Sequence, residues 1–209
     1  MSTTTSTLPE GFILPDFGDA PRATRTVQTG ESSAVTTTTS YDGPRKMAFI
    51  CSKGNLDMAY PALIMGNAAL GEGVEVHLFF TFWGLDIINT KTNDKLRFTL
   101  AGNTAMHLDD LGRVRPGLEH ASVPQVLGNL PGMTGMATRV LKRQMAEQDI
   151  PTVPEFLDLL QASGAHLYAC KLSFDMAKML EADLHPGVEG VISAGDFIES
   201  AQGAQIVFV

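Results

Sequence analysis

Residues 165–176 read AHLYACKLSFDM, and this stretch predicts a short buried strand that ends at Cys170 and continues directly into a helix. Apolar side chains recur along the helix at the spacing of one face, as Leu172, Met176, Met179 and Leu180. Ser173 is expected to cap the helix, and Asp175 to lie in its first turn, where a carboxylate suits the helix dipole. The helix is predicted to continue to about Leu184.

The predicted junction between strand and helix makes Cys170 a candidate nucleophile. A thiol at the start of a helix faces unpaired backbone N–H groups and the positive end of the dipole, and Lys171 adds a neighbouring cation. These surroundings stabilise a thiolate relative to a thiol. The alternative is that Cys170 is a small packing residue, since free cysteine is among the most buried residue types.

Length, charge and cysteine content narrow the class of protein. The 209 residues, 44% of them hydrophobic, suffice for one sizeable core. A net charge of -8 argues against a nucleic-acid surface, which needs clustered lysine and arginine. The two cysteines lack metal-finger spacing and are too few for a disulfide scaffold, which predicts a reducing compartment. Without a signal-peptide pattern or an apolar run of about 18 residues, we expect a soluble, cytoplasmic protein with no membrane span.

The composition of the chain changes near residue 45. Residues 1–45 are rich in serine and threonine and offer little apolar surface, which predicts a flexible tail. Residues 46–209 alternate apolar strands with helical patterns, which predicts one α/β domain on a mainly parallel five-stranded sheet. Strands are expected at 47–51, 74–80, 165–170, 188–193 and 205–209. Reactive groups of such folds gather at the carboxyl ends of strands, where Cys51 and Cys170 both fall.

Two further groups of residues are candidate binding sites. Residues 90–131 are irregular and contain His107-Leu108-Asp109-Asp110 and Glu119-His120, which are metal ligands by type but match no fixed ligand spacing. Arg113 and Arg115 in the same loop could attract an anion or face water. Ser52-Lys53-Gly54-Asn55 could cradle an anion but lacks the glycines of a phosphate loop. The sequence therefore predicts neither a metal nor a cofactor.

Five segments of the chain together resemble the DsrE/DsrF-like family, most closely its DsrE2-like branch, which is also labelled "peroxiredoxin family". They are residues 48–61, 76–85, 128–133, 169–175 and 188–196, at family-like spacing over residues 46–209. The resemblance implies a flavodoxin-like three-layer sandwich around a five-stranded parallel sheet. This agrees with the strand count read from the sequence.

The resemblance also implies a function in sulfur metabolism. Characterised members of the family are sulfur carriers in which a cysteine after the third strand holds a persulfide or a thiosulfonate. They exchange this sulfur with TusA-like proteins and rhodaneses. That cysteine matches Cys170, whereas Lys178 stands where some relatives carry a second cysteine. The other function class left open is a non-catalytic interaction or scaffold protein with inert cysteines.

Two expectations concern Cys51 and self-association. If the first and third strands are neighbours, in the order 2-1-3, Cys51 could resolve a loaded Cys170 by forming a disulfide. Otherwise Cys51 is a buried packing residue. A homo-oligomer is predicted because apolar side chains cluster after the second strand and in a methionine-rich stretch: Phe79, Phe80, Phe82, Trp83, Met133 and Met136.

Overall fold

A computed structural model describes the backbone of residues 24–29 and 35–40 and the full structure of residues 45–99 and 130–209. The chain forms two compact units, Met1–Gly43 and Pro44–Val209. In the first unit, strands β1 (Thr24–Thr29) and β2 (Val35–Ser40) pair antiparallel. The sequence analysis predicted no strand in this part of the chain, because alternating threonines offer no apolar face from which to recognise one.

The second unit is built on a five-stranded sheet in which every pairing is parallel. Its strands are β3 (Lys46–Cys51), β4 (Glu75–Phe80), β5 (His166–Cys170), β6 (Val188–Ile192) and β7 (Gln205–Phe208). The sheet order is β6-β5-β4-β3-β7. The predicted five-stranded α/β fold is therefore confirmed, but the expected strand order is wrong, because β4 lies between β3 and β5.

Helices connect these strands and cover both faces of the sheet. They are α1 (Leu56–Gly71), α2 (Leu85–Ile88), α3 (Met133–Glu147), α4 (Val153–Ala162), α5 (Lys171–Ala177) and α6 (Ala194–Ser200), with short 3-10 turns at Phe82–Gly84 and Glu181–Asp183. Pro61 lies inside α1. Pro154 lies in the first turn of α4, beside a capping box formed by Thr152 and Glu155.

The main core lies on the face of the sheet that packs against α1 and α4. It buries apolar side chains from both layers, among them Leu56, Leu63, Val76, Leu78, Leu157, Leu160 and Leu167. A smaller core lies on the opposite face beneath α6, where the ring of Phe197 stacks on that of Phe79 at a centroid distance of 4.5 Å. The sheet therefore sits between two helical layers, as a three-layer sandwich requires.

Helix α5 differs from its predicted form at both ends. Its N-cap is Cys170, and Ser173 lies inside the helix with 1% of its surface exposed, so the predicted Ser173 cap is wrong. Asp175 accordingly falls outside the first turn. The helix ends at Ala177 because Lys178 adopts a left-handed conformation with a φ of 51°. The predicted continuation to Leu184 is therefore also wrong.

Across residues 24–29, 35–40, 45–99 and 130–209, every helix is too short or too polar to cross a membrane.

Candidate functional site

Cys170 lies at the carboxyl-terminal rim of the sheet, where β5 passes directly into α5. Hydrogen bonding of β5 to both β4 and β6 fixes the strand, and Cys170 is the last residue in register with β6. Its side chain belongs to the smaller core beneath α6, and 6% of the residue surface is exposed. The rim position predicted for this thiol is the one observed.

Two hydroxyl groups lie beside the Cys170 thiol. Thr81 directly follows β4, and its backbone N–H donates to the Cys51 carbonyl at 2.9 Å, which holds the residue at the rim. The Thr81 Oγ1 atom is 3.1 Å from the Ser173 Oγ atom. Ser173 Oγ also accepts the Phe82 N–H at 2.9 Å, so its own hydrogen remains available to donate.

These groups set the acidity of the thiol. Burial raises the pKa of Cys170. Hydrogen bonds from the Thr81 hydroxyl, the Ser173 N–H and hydroxyl, and the Leu172 N–H lower that pKa by more than burial raises it. The net pKa therefore lies below the ordinary value for cysteine, which enlarges the thiolate fraction near neutral pH. Sequence reasoning missed the contributions of Thr81 and Ser173 to this effect.

Lys171, the predicted neighbouring cation, is the first residue of α5. Its Nζ atom is 3.7 Å from Asp175 Oδ2, in an exposed pair one helical turn apart. An exposed ion pair of this kind contributes little in water, because solvent screens both charges.

Cys51 does not share a site with Cys170. In the sheet register Cys51 pairs with Phe80, and Phe80 pairs with Ala169. Cys51 and Ala169 are therefore two strand spacings apart, each of about 4.8 Å. The sum of these spacings exceeds the Cα–Cα distance of ~7 Å that a disulfide tolerates. Cys51 also belongs to the main core, on the face opposite Cys170.

A resolving role of Cys51 required β3 and β5 to be neighbouring strands, and they are not. Burial raises the pKa of the Cys51 thiol to about 12, which keeps the sulfur protonated. Both cysteines are free. The structure matches the packing alternative for Cys51, with 1% of the residue exposed.

An apolar surface adjoins the thiol. We define the apolar rim as Phe82, Trp83, Leu172 and Met176, which are 51%, 64%, 73% and 58% exposed. The loop that carries Phe82 is strained, because this residue has a φ of 47° without being glycine. Phe79 and Phe80 were also expected on this surface. That expectation is wrong, since both rings are buried in the sheet.

The remaining candidate sites have simple outcomes. His107, Asp109, Asp110, Arg113, Arg115, Glu119 and His120 lie outside the described residues. In the turn after β3, the Ser52 N–H and hydroxyl both donate to the Val209 carbonyl, at 2.9 and 3.0 Å. A Cβ atom at Gly54 would overlap the Trp83 carbonyl oxygen. In this turn, which the sequence makes a candidate anion site, Ser52 is thus bonded to Val209 and Gly54 lies against Trp83.

A parallel α/β domain with a cysteine at the carboxyl-terminal rim of its sheet is the class that the fold and the site define. The model of the DsrE/DsrF/DrsH-like family matches residues 44–209, and the chain belongs to this family. It is 34% identical over 163 residues to the protein named sulfur carrier protein DsrE2 of Allochromatium vinosum. That match covers 78% of this chain and 96% of the relative.

Other similarities are weaker. The chain is 21% identical over 165 residues to the uncharacterized protein YrkE of Bacillus subtilis, covering 79% of this chain and 97% of that one. Two solved structures are 10% identical and cover 79% of the chain and 99% of their own: MTH1491 of Methanobacterium thermoautotrophicum, of unknown function, and YchN of E. coli. Their TM-scores are 0.45 and 0.44.

Proposed function

We propose that the protein is a sulfur carrier that holds persulfide or thiosulfonate sulfur on Cys170 and exchanges it with partner proteins. The observation that carries this proposal is the rim thiol whose pKa is lowered by four hydrogen bonds, from Thr81, Ser173 and Leu172. Membership in a family that includes a protein named sulfur carrier supports the same reading. Free cysteines suit the cytoplasm, which we propose as the location.

Loading requires only a displacement at sulfur. The Cys170 thiolate attacks the terminal sulfur of a donor persulfide, a new S–S bond forms, and the donor leaves as its thiolate. With tetrathionate, the thiolate attacks an inner sulfur, thiosulfate leaves, and a thiosulfonate remains on Cys170. Neither step needs a general base once the thiol is ionised, which fits a site made of hydrogen-bond donors.

The apolar rim supports exchange with other proteins. Phe82 donates its backbone N–H to Ser173 Oγ and Leu172 lies in the first turn of α5, so both adjoin the thiol in the chain. Exposed aromatic and aliphatic side chains of this kind mark protein contacts. We propose that a TusA-like carrier or a rhodanese docks there, so that its own cysteine reaches the loaded sulfur. We also propose that the domain forms a homo-oligomer, for which light scattering at micromolar concentration should give a mass above 22.4 kDa.

The experiment is an intact-mass measurement after incubation with polysulfide and, separately, with tetrathionate. We expect the parent protein and the Cys51→Ser variant to gain the adduct, because Cys51 is buried and protonated. Cys170→Ser should gain none. An unchanged adduct on Cys170→Ser would refute the assignment of the site. A parent protein that takes up neither donor would favour a non-catalytic role.

The docking step has a separate test. Trp83→Ser should load from polysulfide at the parental rate but transfer sulfur more slowly to a TusA-like protein, since the side chain is exposed and supports no core. Ile206→Ser is a matched control, because Ile206 is 50% exposed on the edge strand β7. Equal transfer rates for both variants and the parent would show that the partner does not use the apolar rim.

A further inference from the structure

A second cluster of reactive side chains lies at the amino-terminal end of the sheet, away from the thiol. Glu75 and His77 project from the start of β4, and His166 from the start of β5. His77 pairs with His166 in the sheet register, and their ring centroids are 4.6 Å apart. One potential ligand atom from each of the three residues lies within 4.8 Å of the other two. No local sequence pattern indicates this cluster, since its members come together only through the register of β4 and β5.

His77 is incompletely hydrogen-bonded. Its side chain is 5% exposed, and Nε2 lies 2.7 Å from Glu75 Oε1. Nδ1 is buried and has no hydrogen-bond partner among the residues that the structure describes. A buried ring nitrogen without a partner is costly and uncommon in native structures. His185 shows the usual arrangement, with Asp158 on one ring nitrogen and the Gly187 N–H on the other.

His166 has the surroundings of a metal ligand. A coordinating imidazole binds the ion through one nitrogen and donates its other N–H to a carboxylate or a carbonyl. Glu189 Oε1 lies 2.8 Å from His166 Nδ1 and takes this outer role.

We propose that Glu75, His77 and His166 form a binding site for a divalent transition-metal ion of the zinc type, with Glu189 orienting the His166 ring. Two imidazoles and one carboxylate are an ordinary zinc ligand set, and they leave a fourth position for water. Glu75 and His166 are about two-fifths exposed, so an ion can enter from solvent. Cys170 is four positions after His166 along β5, which is about 13 Å of strand, so the two sites are distinct.

Lys46 disfavours binding of a cation at this site, so its replacement is expected to strengthen binding. Its Nζ atom is 3.0 Å from Glu75 Oε1, and it also donates to the Ser200 carbonyl at 3.1 Å. Its positive charge repels a divalent cation and competes for the carboxylate. Lys46→Met should therefore bind zinc more tightly than the parent, a gain that misfolding cannot produce.

The test is zinc titration of the full-length, reduced protein against a chromophoric chelator. We expect one ion per chain, with affinity at least about 10-fold weaker in His166→Gln, which changes a partly exposed residue. A double variant of the loop histidines, His107→Gln with His120→Gln, and the Cys170→Ser variant should bind like the parent. The far-ultraviolet circular dichroism of His166→Gln should match that of the parent.

Three results would overturn the proposal. They are no zinc uptake by the parent at micromolar concentration, parental affinity in His166→Gln, and loss of binding in Cys170→Ser or in the loop double variant. Cobalt(II) gives a further readout, because ligation by nitrogen and oxygen alone produces no thiolate-to-metal charge-transfer band. Such a band in the parent would place the ion on a cysteine and contradict the proposed ligand set.

Discussion

Replacing Thr81 by valine tests the hydrogen bonding that activates the thiol. The change keeps the side-chain shape and removes the hydroxyl donor that lowers the pKa of Cys170. A hydrogen bond to a charged group is worth about 1.5 kcal/mol at the lower end, the end that suits a large, diffuse thiolate. Losing it reduces the thiolate population about 12-fold at a pH below the thiol pKa.

The expected rate change is smaller than the change in population. A more basic thiolate is intrinsically more nucleophilic, with a Brønsted coefficient of about 0.4–0.5. The rate constant for alkylation by iodoacetamide should therefore fall only about fourfold in Thr81→Val at low pH. At a pH above both pKa values the variant should react about threefold faster than the parent. The two pH–rate curves should cross.

A matched control separates this effect from a general loss of a hydroxyl group. The Thr90 hydroxyl donates to the Asp183 carbonyl at 3.0 Å and takes no part in the thiol site. Thr90→Val should reproduce the parental pH–rate curve. If the curves of Thr81→Val and the parent superimpose, the hydroxyl does not stabilise the thiolate and this reasoning is wrong.

Three further predictions follow from burial, packing and capping. A disulfide-exchange reagent should titrate one thiol in the native protein and two after denaturation, since the pKa of Cys51 is raised to about 12 by burial; two fast native thiols would contradict this. Gly84→Ala should lower the free energy of unfolding by about 1–3 kcal/mol in urea, because its Cβ would overlap the Cys51 carbonyl, and parental stability would show that this contact is loose. At the start of α6, the Asp196 carboxylate accepts hydrogen bonds from Ser193 in a capping box, and these bonds lower the pKa of Asp196. Their contribution to the stability of the fold is present above the ordinary pKa of 3.8. It is lost as the pH falls through the lower pKa of the folded state. On acidification from neutral pH to below 3.8, the free energy of unfolding should therefore fall less in Asp196→Ala than in the parent. Equal decreases would contradict the capping role of Asp196.

The strands could be predicted because each carries its own signal. A strand covered on both faces is a continuous apolar run, and residues 47–51 and 165–170 have this character. The strand order could not be predicted in the same way. It depends on which helix packs on which face. The third strand, β5, pairs with β4, and β7 lies on the side of β3 where the order 2-1-3 places the third strand.

The thiol could be found from the sequence, but its surroundings could not. Cys170 follows from one local pattern, a strand that ends where a helix begins. Thr81 and Ser173 meet across 92 positions of sequence, so neither has a local signal that connects it with the thiol. The early end of α5 was also hidden, since Lys178 adopts the left-handed conformation that more often marks glycine.

The central claim is that Cys170 carries sulfur and does not merely become modified. The most direct measurement is a chase of protein loaded with isotopically labelled sulfur from polysulfide, followed by mixing with a reduced TusA-like protein. Peptide masses then report the label on each cysteine over time. We expect label on the Cys170 peptide first, then its loss there with equal gain on the partner's cysteine. Label that never enters Cys170, or that stays on it while the partner remains unlabelled, would show that Cys170 is not a sulfur carrier.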